Sequence, residues 1–164
     1  MSAAERSPPP IRVSVWLWRH LLQDLRRGGR GIGESGAFLL GRPSERKVIG
    51  YVCYDALDPD AYQHGAIAFH AVGYEALGRR CREGGLEVLC DVHTHPGPGV
   101  GQSHIDQRHP MLPIAGHTAL IVPHFAHTSW RSLHAVGVYE YLGEFRWRDH
   151  SPARGGQRVR LALW

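Results

Sequence analysis

The sequence predicts a single α/β domain, a sandwich in which helices pack against a mixed central sheet. Stretches with helical spacing of apolar residues alternate along the chain with short apolar runs that are typical of buried strands. The chain has 164 residues, a length that supports one hydrophobic core, and its 43 % of apolar residues is ordinary for a globular protein. We expect the domain to cover residues 11–164, after a disordered, proline-containing tail over residues 1–10.

The first half of the chain shows both kinds of apolar pattern. The predicted strands are residues 11–17 (a strand or an entry into a helix), 34–40, 48–57 and 66–70. The predicted helices are residues 16–27, which a run of glycines should break, and residues 71–83, which Gly84 and Gly85 should close.

The second half of the chain begins with its most apolar segment. Residues 86–92, between glycines and Pro96, are expected to be a central strand. A short helix over residues 103–109 should stop at Pro110. Later strands are predicted at residues 118–122, 133–141, 144–147 and 158–163.

Charge and cysteine content narrow the classes of function. The formal charge of +4 comes from scattered basic residues, so a solvated surface is expected and nucleic-acid binding is not. No apolar run approaches membrane-spanning length and no secretory signal is visible, so we expect no membrane contact and a cytoplasmic location. Cys53, Cys81 and Cys90 form no CxxC pair and are expected to be reduced thiols.

The residues with the clearest chemistry follow the predicted central strand. His93 and His95 are two apart, so in extended backbone both imidazoles point to one side. A glycine- and proline-rich loop follows, and Asp106 comes on the next short helix. Two nitrogens and one carboxylate leave a coordination position open, as in catalytic rather than structural zinc sites. We therefore predict that His93, His95 and Asp106 bind Zn²⁺.

Each part of this pattern also has a simpler interpretation. A His-x-His pair alone is weak evidence because the chain has 12 histidines. Ser103 and Asp106 also fit a capping box that starts a helix, with Ser103 as the N-cap. The two roles are compatible, since a cap fixes the helix that carries Asp106.

Together these residues resemble the JAMM motif of the JAB1/MPN/Mov34 metalloprotease family. That pattern has an upstream glutamate, then His-x-His-Pro, then Ser-x-x-Asp after a fixed interval. Residues 93–96 (His-Thr-His-Pro) and 103–106 (Ser-His-Ile-Asp) match without departure. The upstream glutamate matches Glu34, which is followed by small and apolar residues.

The resemblance implies a cytidine-deaminase-like fold and a zinc isopeptidase that cleaves after the C-terminal residue of a ubiquitin-like modifier, with that modifier or its conjugates as partner. In this mechanism Glu34 moves a proton from water to the leaving amine, and the Ser103 hydroxyl stabilises the oxyanion. The deaminase signature, His-x-Glu with Pro-Cys-x-x-Cys, is absent, so base deamination is not expected. The short loops favour the prokaryotic JAB proteins of ubiquitin-like conjugation systems, some of them antiviral, over eukaryotic deubiquitinases.

Other functions and residues stay open at this point. A peptidase that releases adducts from a sulfur-carrier protein would share the chemistry, and a metal-free scaffold would lack it. His104 and His109 flank the motif and can touch substrate or lie on the surface. His124 and His127 are spaced like a second metal pair but have no acidic or thiol partner in sequence.

Overall fold

The computed structural model describes residues 8–164 of the chain. The predicted tail over residues 1–10 therefore lies mostly outside the described residues, and residues 8–10 precede the first strand without helix or strand of their own. None of the described helices is long and apolar enough to cross a bilayer.

Helices and strands alternate along the described chain. The helices are α1 (Val15–Gly29), α2 (Tyr54–Leu57), α3 (Ala71–Gly84) and α4 (His104–Arg108), with short 3₁₀ turns at His124–Ala126 and Pro152–Arg154. The strands are β1 (Ile11–Ser14), β2 (Gly36–Gly41), β3 (Val48–Cys53), β4 (Glu87–Thr94), β5 (Thr118–Val122), β6 (Gly137–Gly143), β7 (Arg146–Asp149) and β8 (Val159–Ala162).

The central sheet has six strands in the order β3-β2-β4-β5-β6-β7. β4 and β5 are parallel and the other neighbouring pairs are antiparallel, so the predicted mixed sheet and α/β class are confirmed. β1 and β8 form a separate parallel pair. β4 lies inside the sheet, between β2 and β5, as expected for its apolar sequence.

The two faces of this sheet are covered differently. Alternate side chains of β4 point to opposite faces, and Cys90 and Val92 pack in the cluster that includes the apolar side of α1. On the other face, Phe38 packs with Tyr54 of α2 and Leu77 of α3. A cavity lies on this second face, over the end of β4 that carries the candidate site.

α1 runs through two of the glycines that were expected to break it. Ser14 caps its first turn, and the C-cap after Gly29 is Arg30, whose φ of 53° is left-handed. A side chain at Gly28 would lie 3.1 Å from the Tyr62 ring, so this glycine is needed for close packing and not as a helix breaker.

Two strand predictions are wrong in part or in whole. β3 covers only the first half of residues 48–57, and α2 takes the second half. Residues 66–70 form no strand, because Phe69 instead packs against Phe38 and Tyr54, with ring centroids 5.4 and 5.2 Å apart. Aromatic packing on the sheet face, which periodicity does not report, replaces strand pairing here.

The later strands are confirmed with shifted bounds. β6 and β7 begin and end later than residues 133–141 and 144–147, because a two-residue turn separates them. Glu144 and Phe145 form this turn with φ of 53° and 59°, the left-handed conformation that a tight hairpin requires. The turn leaves Phe145 at the mouth of the cavity.

Candidate metal centre

The two motif histidines lie where β4 ends. His93 belongs to the strand, and His95 follows it, held by hydrogen bonds from its N–H to the Val122 carbonyl (2.9 Å) and from the Phe125 N–H to its own carbonyl (2.8 Å). The Nδ1 atom of His95 is 3.1 Å from the Gly99 carbonyl. This contact directs Nε2 of His95 toward Nε2 of His93, at a distance of 3.2 Å.

A capping box at the start of α4 brings Asp106 to both histidines. Ser103 Oγ accepts a hydrogen bond from the Asp106 N–H (3.1 Å), and Asp106 Oδ2 accepts one from the Ser103 N–H (2.7 Å). Oδ1 of the same carboxylate is 3.3 Å from His93 Nε2, and Oδ2 is 3.3 Å from His95 Nε2. The cap and the approach to the imidazoles therefore coexist in one residue.

The spacing of these donor atoms fits a zinc ion. One ligand atom from each of His93, His95 and Asp106 lies within 4.8 Å of the others. Around tetrahedral zinc with bonds of about 2.0–2.1 Å, neighbouring ligand atoms are about 3.3 Å apart. The two Nε2 atoms are 3.2 Å apart, and each lies 3.3 Å from a different oxygen of the Asp106 carboxylate, so the two imidazoles and this carboxylate fit the coordination of Zn²⁺.

The electrostatics of the cluster suit a cation. Burial alone would raise the pKa of Asp106, but hydrogen bonds from the His93 and His95 rings hold that pKa well below its ordinary value. The hydrogen bond with Asp106 in turn raises the pKa of His95. Asp106 is therefore ionised at neutral pH, as a carboxylate metal ligand must be.

Glu34 lies beside this cluster, although it is not in a strand as predicted. It occupies the loop between α1 and β2, where its N–H donates to the Gly65 carbonyl (3.2 Å), and it lines the same cavity as Asp106. Burial raises the pKa of Glu34, and the charges on His93 and His95 partly offset the rise. A half-buried carboxylate with a raised pKa, next to potential metal ligands, is suited to moving protons.

Two buried side chains that sequence reasoning missed fix the Glu34 loop relative to β4. Thr94 lies between the two histidines, and its Oγ1 accepts a hydrogen bond from the Ser35 N–H (3.0 Å). The Thr94 N–H donates in turn to the Ser35 carbonyl (2.9 Å), and Ser35 Oγ donates to the Leu25 carbonyl in α1 (2.6 Å). Because Ser35 follows Glu34 directly, this network joins the glutamate to the histidine-bearing strand.

The next residue, Gly36, passes the site without a side chain. The Tyr62 hydroxyl accepts a hydrogen bond from the Gly36 N–H (3.0 Å) and donates one to its carbonyl (2.8 Å). A Cβ atom at Gly36 would overlap the Tyr54 ring and lie 2.7 Å from the Val92 carbonyl. Only glycine lets β2 run this close to its neighbours.

The cluster opens into a cavity of about 940 Å³ on the second face of the sheet. This volume lies within the range of about 300–1,000 Å³ that is usual for ligand sites. The mouth carries three exposed apolar side chains, Ile32, Ile105 and Phe145. An apolar rim around a polar centre is typical of a surface that receives another molecule.

Asp91 lines the same cavity and forms a second carboxylate–histidine pair with His117, which is not among the lining residues; sequence reasoning missed this pair. Asp91 precedes His93 by two residues and so points to the same face of β4. Its Oδ1 is 2.5 Å from His117 Nε2, and both residues are buried, with 2 % and 7 % of their surface exposed. The alternation Asp-x-His-x-His is a readable signal for Asp91, whereas nothing in the sequence points to His117.

The remaining candidate residues lie apart from the cluster. His109 lines the cavity, whereas His104 is exposed and is not among the lining residues. His124 and His127 belong to no group of three potential ligands within residues 8–164, so the structure offers no support for a second metal pair. The cysteines are free thiols, as predicted, and burial raises the pKa of Cys53 to about 12.

Comparison with known proteins identifies the fold. No protein-family model matches the chain. Among solved structures it is similar to a protein of Desulfitobacterium hafniense determined in solution, with a TM-score of 0.61, 16 % identity and coverage of 93 % of both chains. It is also similar to a JAB1/MPN domain protein of Archaeoglobus fulgidus, with a TM-score of 0.51, 16 % identity and coverage of 96 % of this chain and 100 % of that one.

The fold is MPN-like. A protein of Salinibacter ruber is similar as well, with a TM-score of 0.51, 20 % identity and coverage of 80 % of this chain and 84 % of that one. At such identities the likeness concerns the fold alone. The chemistry of the site has to be argued from its own residues.

Proposed function

We propose that the protein is a zinc-dependent isopeptidase or peptidase that cleaves after the C-terminal residue of a ubiquitin-like modifier. The observation that carries this proposal is the convergence of His93, His95 and Asp106, whose ligand atoms lie within 4.8 Å of one another beside Glu34. The MPN-like fold, shared with a JAB1/MPN domain protein, supports it.

The role of each residue in the proposed reaction follows from the position of its side chain. Zinc, when bound, acts as a Lewis acid that polarises a carbonyl and lowers the pKa of water. His93, His95 and Asp106 would hold the ion. Glu34 accepts a proton from the attacking water and passes it to the leaving amine, and its raised pKa favours both directions of transfer.

Ser103 supplies a hydrogen-bond donor to the oxygen that becomes negative. Its Oγ accepts the Asp106 N–H, so the hydroxyl hydrogen is free to point into the cavity that Ser103 lines. A donor held in place before the reaction stabilises the developing oxyanion.

The cavity favours a protein substrate over a small polar one. Ile32, Ile105 and Phe145 surround its mouth, and Arg108 lines it beside them. An exposed apolar rim of this kind binds the extended tail of another chain. As the setting we propose a bacterial ubiquitin-like conjugation system or an antiviral system, with a cytoplasmic location.

The test separates metal binding from proton transfer. In Glu34→Gln we expect zinc to stay at about one ion per chain, while cleavage of a ubiquitin-like protein joined to a reporter falls by about 10²–10⁴-fold. Glu45→Gln, in an exposed turn, is the matched control and should keep full activity. Retained turnover in Glu34→Gln would remove Glu34 from the mechanism, and absence of zinc from the native protein would favour a scaffold.

A parallel assay defines the substrate class. A reporter linked through a lysine ε-amine tests deconjugation, and an amino-acid adduct on a sulfur-carrier protein tests the alternative peptidase. We expect faster cleavage of the lysine-linked reporter. Faster cleavage of the sulfur-carrier adduct would reverse the assignment and leave the zinc chemistry intact.

A further inference from the structure

We propose that the deep end of the cavity, at Asp91 and Tyr54, is a subsite for a substrate side chain that ends in an ammonium or guanidinium group. The assignment to a substrate residue near the cleaved bond rests on the proposed function. Binding of the cationic group itself does not depend on cleavage.

The floor of the cavity leads from the metal centre to this subsite. Asp91 and His93 point to the same face of β4, and their partners in β5 are Ala119 and Ile121, which also line the cavity. Two residues of a strand span about 6.7 Å, comparable to the length of an extended lysine side chain. Because the side chain of Ala119 is small, it leaves space in the cavity next to Asp91.

Asp91 keeps one oxygen atom for a ligand. Within residues 8–164 its carboxylate makes one side-chain hydrogen bond, from Oδ1 to His117 Nε2. Oδ2 remains an acceptor on a side chain that is 97 % buried, with 3 % of its surface exposed. Because Asp91 lines the cavity, a donor from a bound molecule can reach this oxygen and complete its hydrogen bonding.

Tyr54 offers a second unused polar group at the same place. Its hydroxyl is buried and has no hydrogen-bond partner among the described residues, although the residue lines the cavity. Asp91 is opposite Phe38 of β2 in the sheet, and the Phe38 and Tyr54 ring centroids are 4.8 Å apart, so Tyr54 packs next to the strand residue that pairs with Asp91. Burial raises the pKa of Tyr54 well above its ordinary value, and the charge of Asp91 raises it further. An unpartnered hydroxyl beside an unfilled carboxylate oxygen forms a polar end to an apolar cavity.

The walls above Asp91 suit an aliphatic stem with a cationic end. Phe69 and Tyr74 meet edge to face, with ring centroids 4.7 Å apart. The Tyr74 hydroxyl donates to the Met111 carbonyl (2.8 Å), which joins α3 to the loop over the cavity. Aromatic rings and a methionine side chain pack against methylene groups, and aromatic faces attract cations.

The charge of the cavity opposes the charge of the protein. Its described lining contains three carboxylates, Glu34, Asp91 and Asp106, but a single arginine, Arg108. The chain as a whole carries a formal charge of +4. Bound zinc would balance the negative charge of Asp106. The negative charge of Asp91 would remain available for a cationic group at the deep end of the cavity.

The cationic group differs from the lysine of an isopeptide bond. The ε-nitrogen of that lysine is an amide nitrogen and carries no charge before cleavage. The group at Asp91 is therefore a free lysine or arginine side chain elsewhere on the substrate.

Small amides test the subsite without any cleavage. We expect Nα-acetyl-L-lysine amide to bind the native protein about tenfold more tightly than Nα-acetyl-L-norleucine amide, which has a similar stem and no charge. NMR titration of the full chain measures both affinities. In Asp91→Asn the two amides should bind equally, and in the surface control Asp55→Asn the preference should persist.

Tyr54→Phe keeps the test decisive if Asp91→Asn does not fold. The Tyr54 hydroxyl has no partner to lose, so this variant should fold and should reduce the lysine preference about threefold. Equal binding of the two amides to the native protein would overturn the subsite, whatever the zinc content. A lysine preference in a protein that neither binds zinc nor cleaves would overturn the proposed function instead.

Discussion

Two carboxylate–histidine clusters lie along the same face of β4 and use the same chemical groups differently. In the outer cluster, Asp106 is 3.3 Å from each of two imidazoles, and those imidazoles approach each other to 3.2 Å. In the inner cluster, Asp91 meets a single imidazole, His117, at 2.5 Å. The inner pair joins one carboxylate oxygen to one ring nitrogen, whereas one ligand atom from each of the three outer residues lies within 4.8 Å of the others.

The difference indicates that geometry and not residue type distinguishes a candidate metal site from a simple carboxylate–histidine pair. Two Nε2 atoms that face each other at 3.2 Å are favourable only around a cation or a shared proton. His95 and Asp106 are fixed in this arrangement by backbone contacts, at Gly99 and at the α4 cap. The fold therefore holds together donors that would otherwise separate.

The largest expected effect comes from removing an outer ligand. Asp106→Ala should lower zinc affinity about 10³-fold. All ligands of a protein zinc site together contribute about 10–16 kcal/mol of binding free energy, and this variant loses the part that one ligand contributes. Cleavage should fall to background. Competition with a chromophoric chelator measures the affinity, and Asp91→Asn, which alters the inner cluster, should keep its zinc. Unchanged zinc affinity in Asp106→Ala would place the metal elsewhere.

Breaking the inner pair should affect stability and not zinc content. His117→Leu leaves Asp91 buried without its partner, and we expect the free energy of unfolding to fall by about 3 kcal/mol. Urea denaturation measures this, with His117→Leu combined with Asp91→Leu as the control that removes both partners. If the single variant is as stable as the double variant, the pair is not a unit.

Ser103→Ala separates the two roles of the capping residue. Loss of one oxyanion donor should slow cleavage about 10²-fold, and loss of the cap should cost about 1 kcal/mol of stability. Ser103→Thr keeps both the cap and the hydroxyl and should be close to native. A fall in stability without a fall in kcat would leave Ser103 with the capping role alone.

The smallest expected effect concerns the network behind the site. Thr94→Val removes the hydroxyl that binds the Ser35 N–H, so we expect kcat to fall about tenfold while zinc stays bound. Thr94→Ser keeps the hydroxyl and should restore the rate. Equal rates for the valine and serine variants would mean that the loop of Glu34 is fixed by other contacts.

The sequence predicts what depends on spacing along the chain. The alternation around His93 and His95, the cap at Ser103 and the apolar run of β4 are all local, and each is found where its pattern indicates. The α/β class and the mixed sheet follow from the same local patterns.

The parts that were missed depend on contacts between distant segments. Asp91 and His117 are separated by 26 residues, so their pairing needs the parallel register of β4 and β5, which no local pattern specifies. Residues 66–70 have strand-like composition, but Phe69 belongs to an aromatic cluster formed by several elements. Contacts between distant elements, and not local composition, determine the secondary structure of such segments.

The absence of a side chain at Gly36 limits which substitutions can change the shape of this cavity. Even a methyl group there would collide with the Tyr54 ring and with the Val92 carbonyl in the strand that carries His93. Mutational libraries aimed at new specificities should therefore leave β2 untouched. They should instead vary the cavity-lining residues that lie outside the sheet, such as Ile67, Tyr74 and Met111.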